Sequence, residues 1–261
     1  MQESEPRAKD GNRPLLGLET PAAEDAVNAV KSSDTTVSSL VKNNLYFTHG
    51  TREDARLSSL TCNNDGAGSY KAQGSLRPLM TEILSKVNHP QDLKPLSLEE
   101  LEQLGREIRE RVLEIVDRNG GHLASNLGSV ELTLALHKVF DVPNDRLVWD
   151  TSHQTYPHKL ITGRKDRFEL IRTYGGICGF TNHRESIFDL FDAGHAGTAC
   201  SLALGAGTAD SLQGKGENKT IAVVGDSAAA SGMTFEALNH GGVNRQNMLV
   251  ILNDNDMSIN K

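Results

Sequence analysis

Apolar positions along the chain follow two rhythms. Leu101, Leu104, Ile108, Val112, Ile115 and Val116 recur at spacings of three and four, which places them on one face of a long helix. Ser97-Leu98-Glu99-Glu100 precedes them as a capping box, with Ser97 placed to cap and Glu100 to reach back. Asn119-Gly120-Gly121 ends that helix, and a second is expected over Val130 to Phe140. The other rhythm is a short unbroken apolar run. Arg146 to Asp150, Thr220 to Val224 and Met248 to Leu252 read as strands buried on both faces. Between them, Ala196 to Leu212 is a helix of small residues that lets another backbone come close, and Met233 to His240 is a short helix. Strands alternating with helices predict an α/β domain, a parallel sheet flanked by helices.

Residues 1–72 show neither rhythm. MQESEPRAKDGNRPLLGLETPAAED and TCNNDGAGSYKAQGS are rich in Ser, Asn, Asp, Gly, Glu and Pro. Such stretches bury too little apolar surface to offset the entropy of ordering them, although VNAVKSSDTTVSSLVKNNLYF has enough apolar content for a short helix or strand. The expected division is a low-complexity, mostly disordered extension over 1–72 and one folded domain over 73–261. Early Glu3, Glu5, Asp10, Glu19, Glu24 and Asp25 argue against a transit peptide, which is poor in acid.

Composition narrows the class. The chain has 261 residues, room for one large domain or two ordinary ones. With 27 Lys+Arg against 34 Asp+Glu, the net charge of -7 argues against a nucleic-acid binder. No apolar run reaches the length of a membrane span, and the Met1 end lacks the order of a signal peptide. Cys62, Cys178 and Cys200 are odd in number and far apart, which suits neither a disulfide framework nor a zinc site. A soluble, cytoplasmic chain is expected.

In an open parallel sheet, ligands gather beyond the carboxyl ends of the strands. Polar residues follow all three strands: Asp150-Thr151-Ser152-His153-Gln154, Gly225-Asp226-Ser227, and Asn253-Asp254-Asn255-Asp256. Taken singly, Asp226 and Asn255 read as turn or helix-capping residues. Together they lie about thirty residues apart with one helix between, a βαβ unit that sets two strand ends side by side. Carboxylate and amide oxygens there offer hard ligands to Mg²⁺, which takes one or two carboxylates plus phosphate oxygens. Gly205-Ala-Gly207-Thr-Ala-Asp210 mimics a dinucleotide fingerprint, but it lacks the third glycine and lies inside a helix. His137, on the second helix, reads as a surface or packing residue, and His49, His89 and His183 have no supporting context.

The Gly-Asp and Asn-Asp-Asn spacing resembles the metal-diphosphate motif of thiamine-diphosphate enzymes. Around it, a longer ordered series resembles the 1-deoxy-D-xylulose-5-phosphate synthase family from about Leu76 to the last residue. Gly121-His122-Leu-Ala-Ser125-Asn-Leu-Gly128, Glu131 to His137, Trp149-Asp150, His153 to Lys159, Thr162-Gly163-Arg164, Gly194-His195, Gly232 to His240 and Leu252 to Ser258 carry the likeness. The resemblance implies a transketolase-like transferase that condenses pyruvate with D-glyceraldehyde 3-phosphate, losing carbon dioxide. Its product feeds isoprenoid precursors by the methylerythritol phosphate route, and thiamine and pyridoxal synthesis. The implied cofactors are thiamine diphosphate, whose thiazolium carries the carbanion chemistry, and Mg²⁺. By the same likeness, Asp226 and Asn255 hold Mg²⁺ through side chains and Met257 through its carbonyl. Ser227 and Ala228 meet phosphate at a helix start, where N–H groups are free. Gly194, His195, Ala196 and His153 make further cofactor contacts, and His122, with Ser125 beside it, works near the reacting carbonyls. His122 and His153 are therefore the catalytic candidates.

Three departures stand against that pattern. Ser227 replaces the family's second glycine, and a positive φ there would cost a serine. Ala196-Gly197 replaces Ser-Ser and removes two hydroxyls. The family is also much longer, so the glutamate that activates the aminopyrimidine and much of the substrate-phosphate site are not in this sequence. The strand Met248 to Leu252 would then leave apolar surface and an edge uncovered. The expectation is the N-terminal part of such a synthase, inactive alone, completed by C-terminal domains in cis or in trans and homodimeric as the family is. The alternatives are one half of a split thiamine-diphosphate enzyme and a non-catalytic cofactor-binding fragment.

Overall fold

The structure, a computed structural model, describes residues 82–254. The expected extension over 1–72, and Asn255 and Met257, lie outside the described residues.

Helix α1 runs Leu98–Asn119. The Glu100 amide donates to Ser97 Oγ at 3.2 Å and the Ser97 amide to Glu100 Oε2 at 2.8 Å, so the capping box forms as its spacing predicts. Gly120, at φ 73, closes the other end. All six stripe residues of α1 are buried, packed with Leu134, Tyr156, Leu160, Ile161 and Phe168 in one helical cluster. Glu107 is buried on that same face, where its carboxylate accepts the amides of Ile83 and Leu84 and so anchors the segment leading into the domain.

After α1 come α2, Leu123–Leu127, and α3, Val130–Val139. Strand β1, Arg146–Trp149, is followed by the short α4, Tyr156–Lys159, and then by irregular helical turns. Helix α5 spans Ala199–Leu212, β2 Thr220–Gly225, α6 Asp226–Ala229, α7 Gly232–Asn244 and β3 Met248–Asn253.

The strands form one parallel sheet in the order β1-β2-β3. Side chains alternate across it, and both faces are covered. Leu147, Trp149, Ile221 and Val223 pack on one side with Leu136 and Phe140. Val148, Ala222 and Val224 pack on the other with Ala199, Cys200 and Ala203 of α5 and Ala237 of α7. This double burial explains the unbroken apolar strands.

Helix α5 comes close to the sheet because its residues are small. A Cβ at Gly207 would lie 3.0 Å from Thr220 Oγ1 and 2.9 Å from Gln246 Nε2, so this glycine serves packing and not a nucleotide. Asp210, the other end of the mimic fingerprint, binds Arg146 through both carboxylate oxygens, at 2.7 and 2.9 Å. α5 begins at Ala199, later than the sequence rhythm suggests, because the backbone turns through a left-handed Gly197, at φ 85. Strand β3 is only half buried, and among the described residues nothing pairs with its outer edge.

Candidate functional site at the carboxyl ends of the strands

Parallel register fixes which strand ends meet. Trp149 lies opposite Val223, and Gly225 opposite Asn253, so the turns after β1, β2 and β3 share one rim. Asp226 opens α6 directly after β2, and the Asn253-Asp254 end of β3 lies beside it. The Asp226 carboxylate is half-buried, and no donor meets it among the described residues. That uncommitted anion suits a divalent cation.

Ser227 is exposed and Ala228 buried, so Ala228 can meet a ligand only through its backbone. Their amides fall in the first turn of α6, which leaves N–H groups without a helical partner. Ser227 has helical backbone and is not among the residues with positive φ, so the strain expected of a serine here does not arise. Among the described residues no three His, Cys, Asp or Glu side chains form a metal cluster.

The turn after β1 carries the histidine candidates. Thr151 and Ser152 are both left-handed, at φ 55 and φ 65, an uncommon conformation for either. The reversal brings His153 against His122, with ring centroids 5.1 Å apart and an interplanar angle of 64°. Asn126 clamps the pair: its Nδ2 donates to the carbonyls of His122, at 2.5 Å, and His153, at 2.8 Å. Phe180 closes on His122 at 5.9 Å. Burial, then the nearby Arg172, lowers the His122 pKa. Burial and the neighbouring His122 lower that of His153, and Asp150 only partly offsets them. Both imidazoles are therefore held toward the neutral form, able to give or accept a proton. Among the described residues no group pairs with the buried His153 Nδ1, a polar atom that a ligand group would satisfy.

The Gly194–Gly197 loop forms the next part of the rim. Gly194, His195 and Ala196 are exposed, and His195 Nδ1 donates to the Ala196 carbonyl at 2.9 Å. The departure at Ala196-Gly197 has a structural counterpart. Any Cβ at Gly197 would stand 2.2 Å from Ser231 Oγ, so Ser231 fills the space of a side chain there. Ser231 caps α7, and Thr234 Oγ1 of the same turn donates to the Ala228 carbonyl at 2.9 Å, which joins this loop to the Asp226 turn.

Behind the rim lies an ionic cluster that sequence reading did not assemble. Asp189 accepts from His158 Nε2 at 2.9 Å and from both terminal nitrogens of Arg164, at 2.5 and 2.9 Å. Lys159 Nζ donates to Glu185 Oε2 at 2.8 Å. His137, expected at the surface or in packing, is fully buried, with its Nε2 2.8 Å from His158 Nδ1. Since His158 Nε2 donates to Asp189, its Nδ1 must accept from His137. The cluster braces the 178–192 segment that leads to the Gly194 loop. The histidines, lysine and arginine fall in the ordered series of motifs, but Asp189 carries no periodicity or spacing signal of its own.

The fold is an α/β domain of the parallel-sheet class, with oxygen donors gathered where adjacent strands end. Residues 84–261 match the family model described as 1-deoxy-D-xylulose-5-phosphate synthase, and the chain belongs to that family. It is 53% identical over 182 residues to 1-deoxy-D-xylulose-5-phosphate synthase of Syntrophomonas wolfei, covering 70% of this chain and 28% of that relative. The enzyme of the same description from Thermomicrobium roseum is 56% identical over 177 residues, covering 67% of this chain and 28% of the relative. The chain thus spans little more than a quarter of the length of these curated relatives.

Proposed function

We propose that this chain supplies the diphosphate-and-metal side of a thiamine-diphosphate transferase site. The transferase would condense pyruvate with D-glyceraldehyde 3-phosphate, with loss of carbon dioxide, to 1-deoxy-D-xylulose 5-phosphate in the cytoplasm. One observation carries the reading: the Gly225–Asn253 register sets the Asp226 carboxylate, which no described residue pairs with, beside the end of β3 on a shared rim.

Asp226 and Asn255 would hold Mg²⁺ through side chains and Met257 through its carbonyl. The amides of Ser227 and Ala228 would receive phosphate oxygens. Gly194, His195, Ala196 and the bare Nδ1 of His153 would make the remaining cofactor contacts, and the neutral His122 would exchange protons near the reacting carbonyls. Thiamine diphosphate, when bound, supplies the carbanion chemistry. Turnover requires the further length that the relatives possess, so residues 1–261 by themselves release no carbon dioxide from pyruvate. A second copy of the protein is the proposed partner, a reading supported by Met233, Phe235 and Val243 exposed on α7.

Calorimetry with thiamine diphosphate and Mg²⁺ tests the site. Asp226→Asn should bind roughly tenfold or more weakly, since a charged ligand to the metal is lost, while its thermal unfolding stays close to that of the parent. Unchanged affinity would remove Asp226 from the metal site.

A further inference from the structure

Asp150 is a buried carboxylate that makes no salt bridge among the described residues, although His153 is near enough to feel its charge. Its charge is instead met by the backbone. The Gly197 amide donates to its two oxygens at 2.9 and 3.1 Å, and the Ala199 amide to Oδ2 at 3.0 Å. Thr151 Oγ1 adds a bond to Oδ1 at 3.2 Å. A charge-assisted acceptor is a strong one, and here it fixes the left-handed turn from which α5 starts.

The same residue also anchors the reversal after β1. Its carbonyl accepts the Ser152 amide and, at 3.1 Å, Gln154 Nε2. Ser152 Oγ accepts the Thr181 amide at 3.0 Å, and the Ser152 carbonyl accepts Thr155 Oγ1 at 2.6 Å. Two consecutive left-handed residues persist only where surrounding bonds over-determine them, and these bonds do so. Asp150 is thus the point at which the His153 turn and the Gly194–Gly197 loop are fastened to the end of β1.

We propose that Asp150 is a positioning residue of the site: without touching the ligand, its carboxylate holds the His153 turn and the His195 loop in the arrangement that receives a diphosphate. The proposal rests on the thiamine-diphosphate reading for the ligand and on geometry alone for the fastening, so the two are tested separately.

The experiment is Asp150→Asn in the 261-residue chain. The amide nitrogen it introduces faces N–H groups and cannot accept from them. Hydrogen exchange at the Gly197 and Ala199 amides should speed up roughly tenfold or more, while the Ile221–Val224 amides of β2 keep their protection. Affinity for thiamine diphosphate with Mg²⁺ should fall by a similar factor. The His153 imidazole provides a further readout. Loss of the neighbouring carboxylate lowers its pKa further in an intact fold, whereas collapse would return it toward the ordinary value. Unchanged exchange at Gly197 and Ala199 overturns the proposal. So does a loss of protection spread evenly over β2, which would make Asp150 a group that merely holds the fold. If the parent chain binds no thiamine diphosphate, the cofactor reading fails and the exchange data still judge the fastening. Should Asp150→Asn not fold, Asp150→Ser, which sets no amide donor against those N–H groups, takes its place. The same exchange, affinity and pKa measurements then support or overturn the fastening.

Discussion

Gly197 and Ser231 share one volume: a Cβ on the glycine would lie 2.2 Å from the serine Oγ and 2.8 Å from its Cβ. The glycine is also left-handed, at φ 85. Gly197→Ala therefore meets two costs, about 1 kcal/mol for the backbone and about 1–3 kcal/mol for the overlap. Adding Ser231→Gly removes the overlap while keeping an acceptable helix cap, at a cost of about a few tenths of a kcal/mol. Thermal unfolding of the two single variants and the double should show strong destabilisation by Gly197→Ala and partial recovery in the pair. Simple additivity would mean that the two residues do not compete for this space.

The His137–His158–Asp189 chain makes stability depend on pH. Burial lowers the pKa of both imidazoles, His137 the more strongly. Their stability is fully present above the unfolded value, about 6.5, and declines as pH falls below it, because the unfolded chain then binds more protons. Burial alone would raise the Asp189 carboxyl, but hydrogen bonds from His158 and Arg164 outweigh it and hold the pKa far below the carboxylate range. Its contribution is present above about pH 4 and is lost on further acidification. Urea unfolding should therefore show a lower midpoint at pH 5.5 than at pH 7.5, and lower again at pH 3.5. Asp189→Asn leaves Arg164 and Lys159 buried beside a neutral group, and should cost about 3–5 kcal/mol at neutral pH. Equal midpoints at pH 5.5 and 7.5 would refute the neutral burial of the imidazoles.

Cys200 faces α5's buried side, where burial, aided by Asp150, pushes its thiol pKa up to about 11. At pH 8 roughly one such thiol in a thousand is ionised, and solvent does not reach it. Iodoacetamide followed by mass spectrometry should leave Cys200 unmodified in the native chain and label it in urea. Cys178, only half-buried, should react first of the two. Native labelling of Cys200 would mean that α5 leaves the sheet.

Much of the scaffold is legible in the sequence because period and burial coincide. The α1 stripe, its Ser97 cap and the three strands all follow from the apolar pattern, and the shared rim of β2 and β3 follows from their strand–helix–strand order. Long-range polar geometry is not legible in this way. Nothing local in the sequence says that Asp150 reaches Gly197 or that Asp189 gathers His158 and Arg164, since each partner arrives from another segment. The full burial of His137 is hidden for the same reason: an imidazole on an apolar helix is acceptable inside only when a distant partner meets it, and His158 does. At Ser227, strain would follow only from a backbone angle that residue type alone does not set.

That angle leads to a test at Ser227. A serine forced into left-handed backbone would be relieved by glycine, and Ser227→Gly would raise the unfolding temperature. In the structure Ser227 lies in α6 with no left-handed backbone, so glycine only adds freedom to the unfolded chain and weakens a helical turn. The expected change is a loss of up to about 0.5 kcal/mol, or roughly 1–2 °C for a domain of this size. Under the proposed reading either residue would offer its amide to a phosphate, so thiamine diphosphate affinity should differ less than about threefold between them. A rise of several degrees would show that the turn after β2 is left-handed in solution, and would return Ser227 to the status of a strained substitution.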